Sequence, residues 1–109
     1  MDRLVIKETA SDAPSRLTLV LSGELDVINV GKLSDTIVLE LEAGKRHLLL
    51  DLTGVIRCDN GSLYTLLGMR HAANHAHGSL ALIAASACVQ QALDRAGLRA
   101  LLPFDAATT

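Results

Sequence analysis

The feature that most constrains the fold is the short apolar run Leu48-Leu49-Leu50-Asp51-Leu52, in which Asp51 is the one polar residue. A run of this length is typical of a strand that is buried on both faces. Such strands belong to parallel sheets, whose crossover helices cover them. The run at residues 80–84 is equally apolar, and a helical pattern separates the two runs. The sequence therefore predicts parallel strands joined by a helix.

The rest of the chain extends this alternation of strands and helices. Residues 4–6 and 17–22 predict two strands that pair antiparallel across a polar turn at residues 11–15. Residues 101–104 are either a short last strand or the start of a tail. Three helices are predicted from N-cap residues, from apolar residues three or four apart and from glycine stops. They cover residues 26–44, with Asp26 as N-cap and Val27 in the apolar stripe, residues 61–77 before Gly78, and residues 86–96 before Gly97.

This order predicts an α/β domain with a mixed, mostly parallel open sheet of about four or five strands packed with helices. Half of the residues are hydrophobic (50%), which suffices for one core without disulfides or a metal. We expect a single domain over residues 1–109, with a tail from about residue 105 outside the packed unit.

Composition argues against several classes of function. Aromatic residues make up 2% of the chain and Trp is absent, which disfavours a surface that stacks nucleic acid bases. The net charge of −2 provides no basic footprint for a phosphate backbone. No apolar run approaches the roughly 20 residues of a membrane span, and the first residues do not resemble a signal peptide. We expect a cytoplasmic protein that binds neither nucleic acid nor membrane.

The loops at the carboxyl ends of parallel strands gather at one edge of a sheet, and function tends to lie there. Three loops qualify, at residues 23–26, 53–60 and 85–87. The middle loop leads into the second helix through Asp59, Asn60, Gly61 and Ser62, where unpaired N–H groups would stabilise an anion. Equally, Asp59 or Asn60 simply caps the helix. The loop lacks the pattern of a nucleotide-binding glycine loop.

Four segments of the chain carry a family resemblance. They are Gly23-Glu24-Leu25-Asp26 after a strand, the stretch from Arg46 to Val55, Cys58-Asp59 at the start of a helix, and Ala96-Gly97-Leu98 followed by Leu101-Leu102-Pro103. In this order and spacing they resemble the STAS domain and, within it, the bacterial anti-sigma factor antagonists. The resemblance extends over nearly the whole chain.

The resemblance implies a regulator of transcription that switches partners. In the family, the unphosphorylated antagonist binds an anti-sigma factor that is also a serine kinase, and so releases the sigma factor. Phosphorylation of a loop serine breaks that complex, because a phosphate adds about −1.5 to −2 charge at the interface. Two other roles stay open: a STAS subunit of a signalling scaffold or transport complex, and a STAS module that senses nucleotides or lipids.

The loop departs from the family pattern where the phosphate would be added. The family loop usually reads Asp-Ser-Ser-Gly-Leu with the second serine phosphorylated. Alignment on Asp59 and Leu63 puts Asn60 and Gly61 at the serine positions and Ser62 at the glycine. Ser62 is displaced by about 100° around the helix. Either Ser62 is a displaced phosphoacceptor, or the protein is an antagonist that is always competent to bind.

The second helix has two faces. Ser62, Leu66, Met69, Ala73 and Ala76 form the predicted core stripe, whereas Tyr64, Leu67, Gly68, His71 and His75 form a stripe that faces solvent or a partner. Asp26, in the matching Gly-Glu-Leu-Asp segment, caps the first helix, shapes the docking surface, or does both. The predicted partner-binding residues are Asp26, Asp59, Asn60, Gly61, Ser62, Tyr64, Leu67 and His71.

Catalysis is not predicted, because no nucleophile with its base and no carboxylate pair has a useful spacing. We expect no catalytic residues and no cofactor. His71 and His75 are helix neighbours, but without a third ligand they predict no metal site. Cys58 and Cys88 are expected to be small buried residues near the carboxyl edge of the sheet, and the sequence leaves open whether they meet. The expected state is a monomer or weak dimer.

Overall fold

The computed structural model describes residues 3–10, 13–102 and 104, which form a four-stranded sheet packed with three helices. The strands are β1 (Leu4–Ala10), β2 (Arg16–Leu25), β3 (His47–Cys58) and β4 (Ser79–Ala85), and the helices are α1 (Val30–Glu42), α2 (Asn60–His75) and α3 (Ala87–Ala96). Within these residue ranges, no helix has both the length and the apolar character that crossing a bilayer requires.

The sheet has the predicted mixed, mostly parallel topology. Its strand order is β1-β2-β3-β4, with β1 antiparallel to β2 and the other two pairs parallel. Because the order runs in one direction, right-handed crossovers carry α1 and α2 to the same face of the sheet. The carboxyl ends of the three parallel strands therefore open on one edge, next to the N-termini of the helices.

The core depends on leucine in β2 and β3. Leu19, Leu21, Leu50 and Leu52 are fully buried, and they pack with side chains of all three helices, including Leu33, Leu66 and Leu93. Leu49 points to the opposite side of β3 from its neighbours and is still only 4% exposed. Asp51 on that side is only partly buried and Thr53 is exposed, so the prediction of a strand buried on both faces holds at Leu49 alone.

The strand β3 is longer than predicted and replaces most of the expected loop at residues 53–60. Gly54 pairs with Ser22 and Cys58 pairs with Leu25, so that residues 53–58 continue the parallel ladder to the end of β2. The ladder can extend because β2 itself runs three residues past the predicted end at Ser22. Asp59 alone separates β3 from α2.

The first helix begins later than predicted. Asp26 is not its N-cap, because α1 begins at Val30 and Asn29 occupies the cap position. Residues 26–29 form a turn instead, in which the Asp26 carboxylate accepts hydrogen bonds from the backbone N–H groups of Ile28 and Asn29. Such local side-chain bonds compete with helix formation. Val27, predicted to belong to the apolar stripe of the helix, is 60% exposed in this turn.

The helix α3 ends at Ala96 as predicted, whereas α1 ends at Glu42 rather than at Gly44 and α2 ends at His75 rather than at His77. His77 adopts a left-handed φ of 63°, and the N–H of Gly78 donates to the carbonyl of Ala73. This is the hydrogen-bond pattern of a Schellman cap, with His77 at the position that glycine usually takes.

At the end of the chain, Phe104 forms an isolated parallel bridge with Leu82. Some predictions fall outside the residues that the structure describes. They concern Ser11 and Asp12 of the first turn, Pro103, and the tail from residue 105.

Two glycine substitutions test the packing of this fold. Gly23 has a φ of +99°, and a Cβ atom there would lie 2.0 Å from the carbonyl oxygen of Arg3. We expect Gly23→Ala to lower the free energy of unfolding by at least about 2 kcal/mol. Gly68 lies exposed in α2 with open space around it, so Gly68→Ala should raise that free energy by about 0.5–1 kcal/mol. Urea unfolding of both variants measures the difference, and equal effects would contradict the close approach at Gly23.

Candidate functional site

Asp59 links the start of α2 to the turn at residues 26–29, at the carboxyl edge of the sheet. It is the N-cap of α2, and its Oδ1 accepts a hydrogen bond of 2.8 Å from the N–H of Ser62. Its Oδ2 accepts a second bond, of 3.1 Å, from the N–H of Val27 in the turn before α1. One carboxylate thus starts α2 and also fixes the neighbouring turn against it.

The turn at residues 26–29 is fixed by its own hydrogen bonds as well. Asp26 Oδ1 lies 2.9 Å from the backbone nitrogens of both Ile28 and Asn29. Asn29 returns two bonds, since its Oδ1 accepts from the N–H of Asp26 and its Nδ2 donates to the carbonyl of Glu24. Arg3 adds an ion pair of 2.9 Å with the second carboxylate oxygen of Asp26.

These contacts hold Asp26 in its charged form. The N–H of Asn29 contributes most to lowering the pKa of Asp26 below its ordinary value, and the N–H of Ile28 and the guanidinium of Arg3 act in the same direction. Partial burial opposes the shift without reversing it. The turn therefore keeps its geometry at neutral pH.

The fixed turn exposes large apolar side chains. Ile28 is 82% exposed, and Val27 beside it is 60% exposed. Tyr64, one turn into α2, is 54% exposed and lies on the same side of the helix as Gly61, which Val27 contacts. Together with the exposed Asn60, these side chains form what we call the docking surface: Val27, Ile28, Asn60 and Tyr64.

Gly61 and Ser62 lie beneath this surface rather than on it. A Cβ atom at Gly61 would lie 2.1 Å from Cγ1 of Val27, so only glycine fits there with the turn in this position. Ser62 is fully buried, and its hydroxyl donates a hydrogen bond of 2.8 Å to the carbonyl of Asp59. The displacement around the helix turns Ser62 toward the core, where its hydroxyl is out of contact with solvent.

The predicted partner-binding residues are distributed unevenly. Asp26, Asp59 and Gly61 meet at the edge of the sheet, whereas His71 lies two turns further along α2, about 10 Å from Tyr64 along the helix axis. Leu67 is half-buried and packs against the core. Val27 and Ile28 were missed as surface residues, and the pairing of Asp26 with Asn29 three positions later is the signal that could have revealed the turn.

A cleft of about 520 Å³ lies beside the docking surface at the same edge. We call it the edge cleft. Its walls include Asp26, Ile56, Cys58, Asp59, Cys88 and Arg95. Ile56, within the predicted loop but now near the end of β3, is a further large apolar side chain that is mostly exposed. The cleft therefore joins charged, apolar and thiol groups.

Comparison with known proteins places the chain in a family. The family model described as "Mlab, STAS domain" matches residues 8–103. The chain belongs to this STAS domain family. No curated protein sequence matches it.

Solved structures agree with the assignment of the fold. The unphosphorylated anti-sigma factor antagonist SpoIIAA superimposes on this STAS domain with a TM-score of 0.74 at 17% identity, covering 93% of this chain and 88% of that one. An anti-sigma factor antagonist from Mycobacterium paratuberculosis gives 0.73 at 19% identity, covering 94% and 86%. The phosphorylated form of SpoIIAA from Bacillus gives 0.68 at 15% identity, covering 93% and 91%. At these identities the likeness concerns the fold, and the predicted STAS architecture is confirmed.

The double role of Asp59 in this STAS domain can be tested by Asp59→Asn. An asparagine keeps one oxygen for the N–H of Ser62 but presents an amide donor to the N–H of Val27. We expect a loss of about 1–2 kcal/mol of stability. Amide hydrogen exchange should accelerate at Val27 while Ser62 stays protected.

The matched variant Asp59→Ala removes both acceptors, and we expect both amides to exchange faster. If Val27 exchanged at the same rate in all three proteins, Asp59 would not hold the turn.

Proposed function

We propose that this STAS domain is an anti-sigma factor antagonist, which binds an anti-sigma factor through the docking surface and so releases a sigma factor in the cytoplasm. The observation that carries the proposal is the exposure of Val27, Ile28 and Tyr64 on a turn and a helix start that Asp59 locks together. The role is that of a binding protein rather than an enzyme.

Preorganisation supports the assignment to a protein partner. A flexible loop would lose conformational entropy on binding, whereas the bonds of Asp26, Asn29 and Asp59 have already fixed this turn. Interfaces draw much of their energy from a few anchors, of which tyrosine is among the most frequent. Tyr64 beside two exposed aliphatic side chains has the composition of such a centre.

The solved relatives support the choice of partner class. Two of the similar structures are described as anti-sigma factor antagonists, and one of these proteins is also known in a phosphorylated form. Their names describe those proteins, and the shared fold makes an anti-sigma factor the first partner to test here. The kinase activity of that partner is part of the same proposal.

We further propose that this antagonist is not switched by phosphorylation in the loop. Gly61 has no hydroxyl at the usual acceptor position, and Val27 fills the space that a serine side chain would need. Ser62 is buried with its hydroxyl bonded to the carbonyl of Asp59, so a kinase would have to unwind the start of α2 to reach it. Of the two alternatives that the sequence leaves open, these contacts favour permanent binding competence over a displaced acceptor.

A permanent subunit of a larger assembly is the second candidate function. The observation that favours it is again the lack of an accessible phosphoacceptor at Gly61 and Ser62. A complex that phosphorylation cannot break suits a stable assembly. Purification of the tagged full chain from its own cells distinguishes the two. A complex of fixed stoichiometry that lacks an anti-sigma factor would favour the subunit, and recovery of an anti-sigma factor would favour the antagonist.

Alanine substitutions test the docking surface. We expect Tyr64→Ala and Ile28→Ala each to weaken binding to an anti-sigma factor from the same cell at least tenfold, that is by about 1.4 kcal/mol or more. Because both side chains are largely exposed, the melting temperature should change little. Isothermal titration calorimetry measures the affinity.

Leu39 provides a matched control. It is 65% exposed, but it lies in the last turns of α1, away from the carboxyl edge of the sheet. Leu39→Ala should leave the affinity within about twofold. An equal loss in all three variants would indicate a general effect of surface hydrophobicity and contradict the assignment of the surface.

Incubation with that anti-sigma factor and ATP, followed by intact mass measurement, tests the absence of a phosphate switch. We expect no phosphate on this chain under conditions in which the kinase modifies an antagonist with serine at the acceptor position. The double variant Gly61→Ser with Val27→Ala makes room for a hydroxymethyl group and should accept phosphate. Phosphate on the unaltered chain that disappears in Ser62→Ala would overturn the proposal in favour of the displaced acceptor.

A further inference from the structure

The helices α1, α2 and α3 all cover the same face of the sheet. Their buried side chains join Leu19 and Leu21 of β2 and Leu50 of β3 in one core. Because side chains alternate along a strand, the residues between these leucines point away from every helix that the structure describes. We call this second side of the sheet the open face, and its residues are Val5 and Lys7 of β1, Thr18 and Val20 of β2, and Leu49 and Asp51 of β3.

The strand register places three residues of the open face in one row. Val20 is the partner of Lys7 in the antiparallel ladder and of Asp51 in the parallel ladder. Because neighbouring strands lie about 4.8 Å apart, the backbones of Lys7 and Asp51 are about 10 Å from each other, on opposite sides of Val20. The row therefore carries a positive charge, an aliphatic side chain and a negative charge in that order.

Neither charge in this row has a counter-ion among the described residues. Lys7 is exposed, and no described carboxylate lies within ion-pair distance of it. Asp51 is half-buried, and its Oδ1 accepts two hydrogen bonds from Thr53, one of 2.9 Å from the N–H and one of 2.6 Å from the hydroxyl. Its Oδ2 accepts none from the part of the chain that the structure describes. A cation from outside the chain can therefore approach this oxygen.

We propose that the open face is where a second copy of this chain docks, in a dimer with two-fold symmetry. The symmetry axis runs along β2, between the two sheets, and passes over Val20. Rotation about this axis places Lys7 of each copy over Asp51 of the other, while Val20 meets its own copy. An axis along the row would instead place Lys7 over Lys7, so the charges select the first axis. This inference goes beyond the proposed function and holds whatever partner the docking surface binds.

The size of the open face predicts a weak dimer. The strands β1, β2 and β3 are together about 14 Å wide, and the seven residues of β1 span about 23 Å. Such a patch is smaller than the roughly 800 Å² that each partner buries in a stable interface. Val5, which is 40% exposed, and Val20 provide apolar contact, and the ion pairs determine the register. Arg16, half-buried on the same side of β2, meets its own copy and lowers the affinity further.

The docking surface stays accessible in this dimer. It lies at the carboxyl edge of the sheet, on the turn before α1 and on the first turns of α2, whereas the open face lies opposite the helices. Because the symmetry axis is parallel to the strands, both copies present their docking surfaces at the same end of the dimer. A dimer would thus offer two binding sites that point in one direction.

Sedimentation velocity of the full chain, from low micromolar to millimolar concentration, tests the proposal. We expect monomers at the low end and dimers at the high end. Lys7→Glu and Asp51→Lys each bring like charges together at both contacts of the row, so either variant alone should have a dissociation constant at least about tenfold higher. An equimolar mixture of the two restores both ion pairs. We expect the mixture to form a heterodimer about as stable as the dimer of the unaltered chain.

Arg95→Glu is the matched control, because it changes the net charge as Lys7→Glu does but lies on α3, away from the open face. Its dissociation constant should stay within about twofold of that of the unaltered chain. Asp51→Asn keeps an acceptor for Thr53 and should also weaken the dimer, which gives an answer even if Asp51→Lys folds poorly. The proposal is overturned by a chain that stays monomeric at millimolar concentration, by a dimer that Lys7→Glu leaves unchanged, or by a mixture of the two folded variants that remains monomeric.

Discussion

The carboxylate of Asp59 is the interaction on which the candidate site depends. Its two oxygens satisfy two backbone donors from different parts of the chain, at Ser62 and Val27. Hydrogen bonds to a charged acceptor are worth about 1.5–3 kcal/mol each, and donors left without a partner cost a comparable amount. The start of α2 and the turn before α1 are therefore stable as a pair. The docking surface exists because this pair holds Val27 and Ile28 next to Tyr64.

The extension of the sheet is what brings Asp59 to that position. Leu25 and Cys58 are paired neighbours at the ends of β2 and β3, and the N–H of Asp59 donates to the carbonyl of Leu25. The strands β2 and β3 therefore end side by side at the same edge of the sheet. A loop at residues 53–60, as the sequence suggested, would have left Asp59 free to adopt many positions. The parallel ladder replaces that freedom with one geometry, which lowers the entropy lost when a partner binds.

The spacing of apolar residues predicted the elements whose position is determined by burial. It failed where local polar hydrogen bonds or strand pairing determine the backbone conformation. The leucine run of β3 and the core stripe of α2 follow directly from their spacing. Residues 53–58 show no such alternation, and they become a strand only because the end of β2 is available to pair with them. Val27 fits the apolar spacing of a helix, yet the bonds between Asp26 and Asn29 form a turn there first. The inward direction of Ser62 was accessible from the sequence, since one residue on a helix changes its direction by about 100°.

Val27 and Gly61 are coupled, and the coupling explains how this loop can differ from a phosphate switch. A phosphoacceptor at position 61 needs a side chain and open space, whereas this turn fills the space with a methyl group of Val27. Packing Val27 there exposes the rest of the turn in a fixed form, and neither position 61 nor the buried Ser62 can take a phosphate without unfolding the helix start.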